Sequence, residues 1–142
     1  MRPHDEKLYR IIDANINRSK EGLRVCEDVC RFYLDDENLT KRYKNLRHTL
    51  TQTVSQINFN DLMDARAIEV DVGRSTSISE QNRETVTDIY KANSQRIKEA
   101  LRVLEEFSKL MDPQISSAIK QLRYDSYALE QTGLHLLSAI NR

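Results

Sequence analysis

The chain has 142 residues, enough for one domain with a single buried core. Its 22 Lys+Arg balance 22 Asp+Glu, so it lacks the basic excess with which proteins grip a nucleic-acid backbone. No apolar run approaches the ~18 residues of a membrane span. The opening MRPHDEKLYR is charged, and the two cysteines, Cys26 and Cys30, stand only four apart. A reduced, cytoplasmic protein without a membrane or nucleic-acid partner is therefore expected.

Three Gly and two Pro fall far below the ~17 that average usage gives for this length. Sheets and phosphate loops spend glycine on turns, so the fold is expected to be all-α with long helices. A repeat supports this. Residues 14–28 (ANINRSKEGLRVCED) and 92–106 (ANSQRIKEALRVLEE) agree at nine of fifteen positions. After a gap of two residues the match resumes at Asp36/Asp112, Leu46/Leu122 and Arg47/Arg123.

In chain order, Leu8, Ile12, Ser19, Leu23, Cys26, Cys30 and Tyr33 trace one stripe of a first helix, some 28–30 residues and about 40–45 Å long. A second helix enters at Asp35 or Asp36 and carries Leu39, Tyr43, Leu46, Leu50, Val54 and Ile57. Residues 59–78 break the pattern. Ile68, Val70 and Val72 alternate with Glu69 and Asp71, which suits a short extended piece, and Gly73 to Ser77 reads as a polar loop. Connections this long tend to be functional or disordered.

The second copy starts with a Ser77/Glu80 capping box. It continues through Val86, Ile89, Tyr90, Ile97, Leu101, Leu104, Phe107 and Met111. Asp112-Pro113 opens the last helix, with Ile115, Ile119, Leu122, Leu129, Leu136 and Ile140 on its stripe. The expected architecture is one domain: a duplicated helical hairpin (5–58 and 79–141) forming an antiparallel four-helix bundle with a long central crossover.

Polar residues interrupt the stripe. Projected at about 100° per residue, Asn15 lies between Ile11 and Ile12, with Arg18 about 60° to one side. Asn93 and Arg96 occupy the same angles in the second copy. Such groups are costly in a core unless satisfied. Either Asn15 and Asn93 pair across the pseudo-twofold axis as structural glue, or the arginines converge on an anionic ligand held between helices. Arg47 and Arg123 flank their own stripes and would add to such a pocket. Lys20, Arg24 and Glu27, with Lys98, Arg102 and Glu105, fall opposite the stripe. That face is a solvated ion-pair ladder or the surface of a homodimer. Cys26 and Cys30 read as core, and His48 is no base candidate. No nucleotide-binding or metal-binding motif is present.

The motif A-N-x-x-R-x-K-E-[GA]-L-R-V-x-E-[DE], the LRH and QLRY segments, and Arg66 followed by Asp71-Val72-Gly73 resemble the small all-helical hydroxymethylpyrimidine-phosphate kinase family. That family also occurs fused in front of thiamine-phosphate synthase. The resemblance covers Leu8 to Glu130, and with no barrel-length segment after Arg142 the stand-alone form is expected. It implies phosphoryl transfer from ATP, with Mg²⁺, to hydroxymethylpyrimidine monophosphate. It also implies roles: Arg18 and Arg96, then Arg47, Arg123 and Arg66, neutralise phosphate charge. Asn15 and Asn93 read the aminopyrimidine edge. Asp71 holds Mg²⁺ or orients the nucleophile, unless it merely forms a turn, and Gly73 beside it is counted among the phosphate-binding residues. The rival expectation is a non-catalytic helical accessory domain of thiamine-phosphate synthase.

Overall fold

The computed structural model describes residues 3–75 and 82–140. Among them every regular element is helical and none is a strand. Helix α1 (Pro3–Asp28) runs on into a single π-turn, Val29–Tyr33. Then come α2 (Glu37–Val54), a short α3 (Phe59–Ala65), a 3₁₀ turn (Ile68–Val70), α4 (Val86–Ser108) and α5 (Pro113–Ile140). The four long helices pack in a ring: α1 on α4, α4 on α5, α5 on α2, and α2 on α1. Cys26 contacts Tyr90, and Gly22 faces Asn93 and Ile97. Residue numbers thus rise along α1 as they fall along α4, so the two helices are antiparallel.

Local signals account for most boundaries. Asp36 caps α2 by accepting from Leu39 N at 2.8 Å, and Asp112 accepts from Gln114 N at 2.9 Å beside Pro113. The two-residue surplus of the first copy is absorbed after Asp28. There the π-turn widens the helix, and Asp35 takes a left-handed φ of 51°, which a short polar side chain tolerates.

The crossover differs from expectation. Asn58 accepts from Asp61 N at 3.1 Å and starts α3, whose Leu62 and Ala65 are buried, and the helix packs on α1. The alternation at 68–72 forms no extended strand. Ile68, Val70 and Val72 are all exposed, because with no second strand beside it the segment closes into a 3₁₀ turn. The Ser77/Glu80 capping box lies outside the described residues. Helix α4 is instead capped by Thr85 and Asp88, each accepting from the other's backbone N–H.

The core follows the stripes closely on α2 and just past its end, where all six expected residues, Leu39 to Ile57, are buried. On α5 the stripe drifts: Leu137 is buried, while Ile140 is exposed. At the centre Tyr43 and Tyr90 meet edge-on with ring centroids 6.3 Å apart. Tyr90 donates to Leu129 O at 3.1 Å, so the Tyr43 hydroxyl donates to Tyr90. A Cβ at Gly133 would overlap the Tyr90 hydroxyl. Helix propensity favours alanine there by about 0.5–1 kcal/mol. Overpacking against a fixed, fully buried ring costs about 1–3 kcal/mol, and the clash wins because the hydroxyl is tied to two partners. Gly133→Ala is therefore expected to lower stability in urea melts. An unchanged or raised midpoint would show that the ring has room to move.

Cys26 and Cys30 are buried and packed, and burial pushes both thiols up to about 12 from 9.0. Raised acid pKa values contribute stability that is complete below pH ~9 and is lost as pH rises towards ~12, since only the unfolded chain gives up these protons. Each thiol adds a slope of up to about 1.4 kcal/mol per pH unit. Tyr43 and Tyr90, also pushed up by burial, add to the slope above pH ~10. The double change Cys26→Ala/Cys30→Ala should flatten the dependence of unfolding free energy between about pH 9 and 10. An unaltered slope would remove the thiols from this account.

Candidate functional site

Helix α1 turns Lys7, Arg10, Ile11, Ala14 and Arg18 towards one side, at helical spacings of three and four. The crossover folds back opposite them with Arg66, Ala67, Ile68 and Asp71, and Val103 and Phe107 of α4 form an apolar wall. Together these elements enclose an open cleft of about 690 Å³, with Asp13, Asn15 and Asn17 also on its lining. The cleft holds four cationic side chains and two carboxylates.

One carboxylate is fully engaged. Arg66 grips Asp13 through two bonds, Nε to Oδ2 at 2.7 Å and Nη2 to Oδ1 at 2.6 Å. Asp13 is buried, and its bond raises the Arg66 pKa further above its ordinary value. This bidentate pair ties the crossover to α1. Asp71 accepts from Gly73 N at 2.9 Å, an Asx turn. Gly73, expected among the phosphate-binding residues, is not on the lining of the cleft and takes part in this turn through its N–H. Lys7 and Arg10 make no ion pair among the described residues, and Arg18 is exposed, with one long bond to Asn15 Oδ1 at 3.4 Å. With Asp71 as the one other carboxylate on its lining, Lys7, Arg10 and Arg18 leave the cleft net positive.

The structure gathers Asn15, Arg18, Arg66 and Asp71 around one cleft but separates the other expected site residues from it. Asn15 and Asn93 do not pair across the axis. Each donates Nδ2 to its own helix, to Ile11 O at 2.9 Å and Ile89 O at 2.8 Å, because the antiparallel crossing sets Asn93 opposite Gly22. Arg18 and Arg96 do not converge either: Arg96 is exposed and faces Glu21, Nη2 to Oε2 3.7 Å. Nor are Arg18 and Arg96 buried, as their place near the stripe suggests, because both long side chains reach out to solvent.

Arg47 and Arg123 are committed elsewhere. Arg47 Nε donates to Glu27 Oε1 at 3.1 Å while Arg24 donates to Oε2 at 2.9 Å. The second copy repeats this, with Arg123 to Glu105 at 2.8 Å and Arg102 to Glu105 at 3.0 Å. Glu27 and Glu105 are buried, so they belong to no solvated ladder. Here α1 and α4 each pack against a partner on a second face. Sequence reasoning missed Lys7, Arg10 and Asp13. The signal was a difference between copies, since Arg10 and Asp13 are replaced by Asp88 and Lys91. The cleft beside those residues, of about 700 Å³, has two cations, Arg83 and Lys91, against Glu84, Asp88 and Glu130. The excess positive charge is confined to the first copy.

Among the described residues no group of three His, Cys, Asp or Glu side chains is placed to hold a metal ion. No helix of the described residues is long and apolar enough to cross a membrane.

Fold and cleft together define the class: an all-helical, internally repeated chain with a net positively charged cleft on its first copy. The model of the ThiD2 family matches residues 10–132, and the chain belongs to this family. Among curated proteins it is similar to the thiamine-phosphate synthase of Synechocystis sp., 46% identical over 124 residues, covering 87% of this chain and 35% of that protein. The thiamine-phosphate synthase of Thermosynechococcus vestitus is 42% identical over 127 residues, covering 89% and 35%. That of Nostoc punctiforme is 43% identical over 124 residues, covering 87% and 34%. The chain spans about a third of the length of these relatives. No solved structure matches it.

Proposed function

We propose that the chain serves thiamine biosynthesis as a phosphotransferase, moving the γ-phosphoryl group of ATP onto hydroxymethylpyrimidine monophosphate. The four long helices are taken as an antiparallel bundle whose central crossover supplies one wall of the site. The observation that carries the reading is the cleft of Lys7, Arg10, Arg18 and Arg66, in which Asp71 is the one carboxylate not bound to an arginine. Two phosphorylated substrates bring several negative charges together, and a transfer between them needs that charge neutralised and the reacting groups held in line.

The chemistry asks little else of the protein. An oxygen of the acceptor's phosphate attacks the γ-phosphorus, the bond from that phosphorus to the β,γ-bridging oxygen breaks, and ADP leaves with the electron pair. A phosphate is largely ionised near neutral pH, its second pKa being about 6, so the nucleophile needs no general base. A nucleotide-borne Mg²⁺ would supply further neutralisation of the phosphate oxygens. Asp71 is the protein group suited to meet it. Arg18 and Arg66 offer planar forks to phosphate oxygens, and Asn15 presents its amide to the pyrimidine edge.

The relatives' names favour a second reading more directly than the first. They are thiamine-phosphate synthases of which the chain matches a third, and this suits a non-catalytic accessory domain of such a synthase. One assay divides the two. Folded protein with Mg-ATP is given the pyrimidine monophosphate or the free alcohol, and ADP and diphosphate are followed. The phosphotransferase turns over the monophosphate alone, since the alcohol leaves the cleft's cations uncompensated. Absence of turnover with both would move the conclusion to the accessory domain.

A further inference from the structure

The Asp13–Arg66 pair is a partition. On its other side lies a second cleft of about 600 Å³, which shares Asp13, Asn17 and Arg66 with the first. Its character is different. Apart from the shared pair it has one charged residue, Lys20. Its walls are apolar, from Ile16, Val54 and Ile57 among others, and are interspersed with amides such as Gln56 and Asn60. Phe59 lines it with 68% of its surface exposed, so the ring is open to an aromatic group entering the cleft.

An apolar floor, amide donors and acceptors, and an uncovered aromatic ring suit the uncharged heteroaromatic end of a ligand whose charged end lies in the neighbouring cleft. The two substrates of the proposed reaction differ in reach. The acceptor's ring is one methylene and one oxygen from its phosphorus, so it must stay in the cationic cleft, against Ile68 and Phe107. The donor's base is separated from its transferred phosphorus by a ribose and two further phosphates. Only the donor can place phosphates on one side of the Asp13–Arg66 pair and its base on the other.

Resting on the phosphotransferase reading, we propose that the second cleft is the nucleoside subsite. It takes the ribose and base of the phosphoryl donor, with the base stacked on Phe59 and Lys20 beside the phosphates nearer the ribose. This would explain how the chain handles ATP without a glycine-rich loop: the base is held by a side-chain-lined slot between α1, α2 and α3.

The test measures binding apart from turnover, using a fluorescent N-methylanthraniloyl-ADP on the full chain. The wild-type protein should bind it, and Phe59→Ala and Lys20→Met should each weaken binding about tenfold, as expected for loss of one stacking or ionic contact. Both side chains lie at the surface of the cleft, and circular dichroism would check that each variant is folded. In the turnover assay the same changes should raise KM for ATP while KM for the pyrimidine monophosphate stays within twofold. The inference is overturned if the wild-type chain fails to bind the nucleotide. It is equally overturned if binding ignores both changes, or if the KM for the pyrimidine monophosphate is the one that rises. Nucleotide binding sensitive to Phe59 but without phosphoryl transfer would support the subsite while removing the phosphotransferase reading.

Discussion

Arg18→Met is expected to lower turnover by about two to three orders of magnitude, the usual loss when one preorganised donor to developing charge is removed. The melting temperature should hardly change, because Arg18 is exposed and its bond to Asn15 is long. Arg96→Met, the same change at the repeat-related position, should leave turnover within about twofold, since its weak, exposed pair with Glu21 lies outside the cationic cleft. The contrast separates one site on the first copy from a composite of both. Equal losses at Arg18 and Arg96 would restore the composite, and unaltered turnover at Arg18 would remove the cleft from the reaction.

The second large effect concerns stability. Arg123 and Glu105 show side-chain exposures of 15% and 6%. Arg123→Met leaves a buried carboxylate with only the exposed Arg102 as partner. Breaking a buried pair from one side costs about 3–5 kcal/mol, and the remaining arginine places the loss near about 3 kcal/mol. For a chain of this size that is roughly a 10 °C fall in melting temperature, a large share of the ~5–15 kcal/mol that stabilises a domain. Adding Glu105→Gln should recover part of it by removing the stranded charge. A melting temperature unmoved by Arg123→Met would mean that Glu105 is solvated.

The helical class, the caps at Asp36 and Asp112, and the whole apolar stripe of α2 were legible because each follows from local chemistry and a single periodicity. Asn15 and Arg18 were legible as polar residues near an apolar stripe. The fate of Glu27 and Glu105 was not. A helical wheel assumes one buried face, whereas α1 packs on α2, α3 and α4 together, and its opposite face is partly covered too. An acidic residue flanked by arginines then reads as surface when it is the anchor of a buried pair. The cleft was hidden for a related reason. Lys7 and Arg10 look like ordinary surface charges until the crossover folds back through Arg66 onto Asp13, a contact spanning 53 positions. Comparing the copies for differences, at Arg10/Asp88 and Asp13/Lys91, carried more information about the site than comparing them for matches. Shared residues largely maintain the fold, while the charge inversion marks where the copies diverged.

The central claim is that the cationic cleft on the first copy binds the phosphorylated pyrimidine. The most direct measurement is a titration of ¹⁵N-labelled protein with hydroxymethylpyrimidine monophosphate, following assigned amide resonances. Saturable shifts concentrated on residues 7–18 and 66–71, and lost in the Arg18→Met variant, are the predicted result. Shifts centred on residues 82–95, or none as the ligand is raised to millimolar concentration, would contradict it.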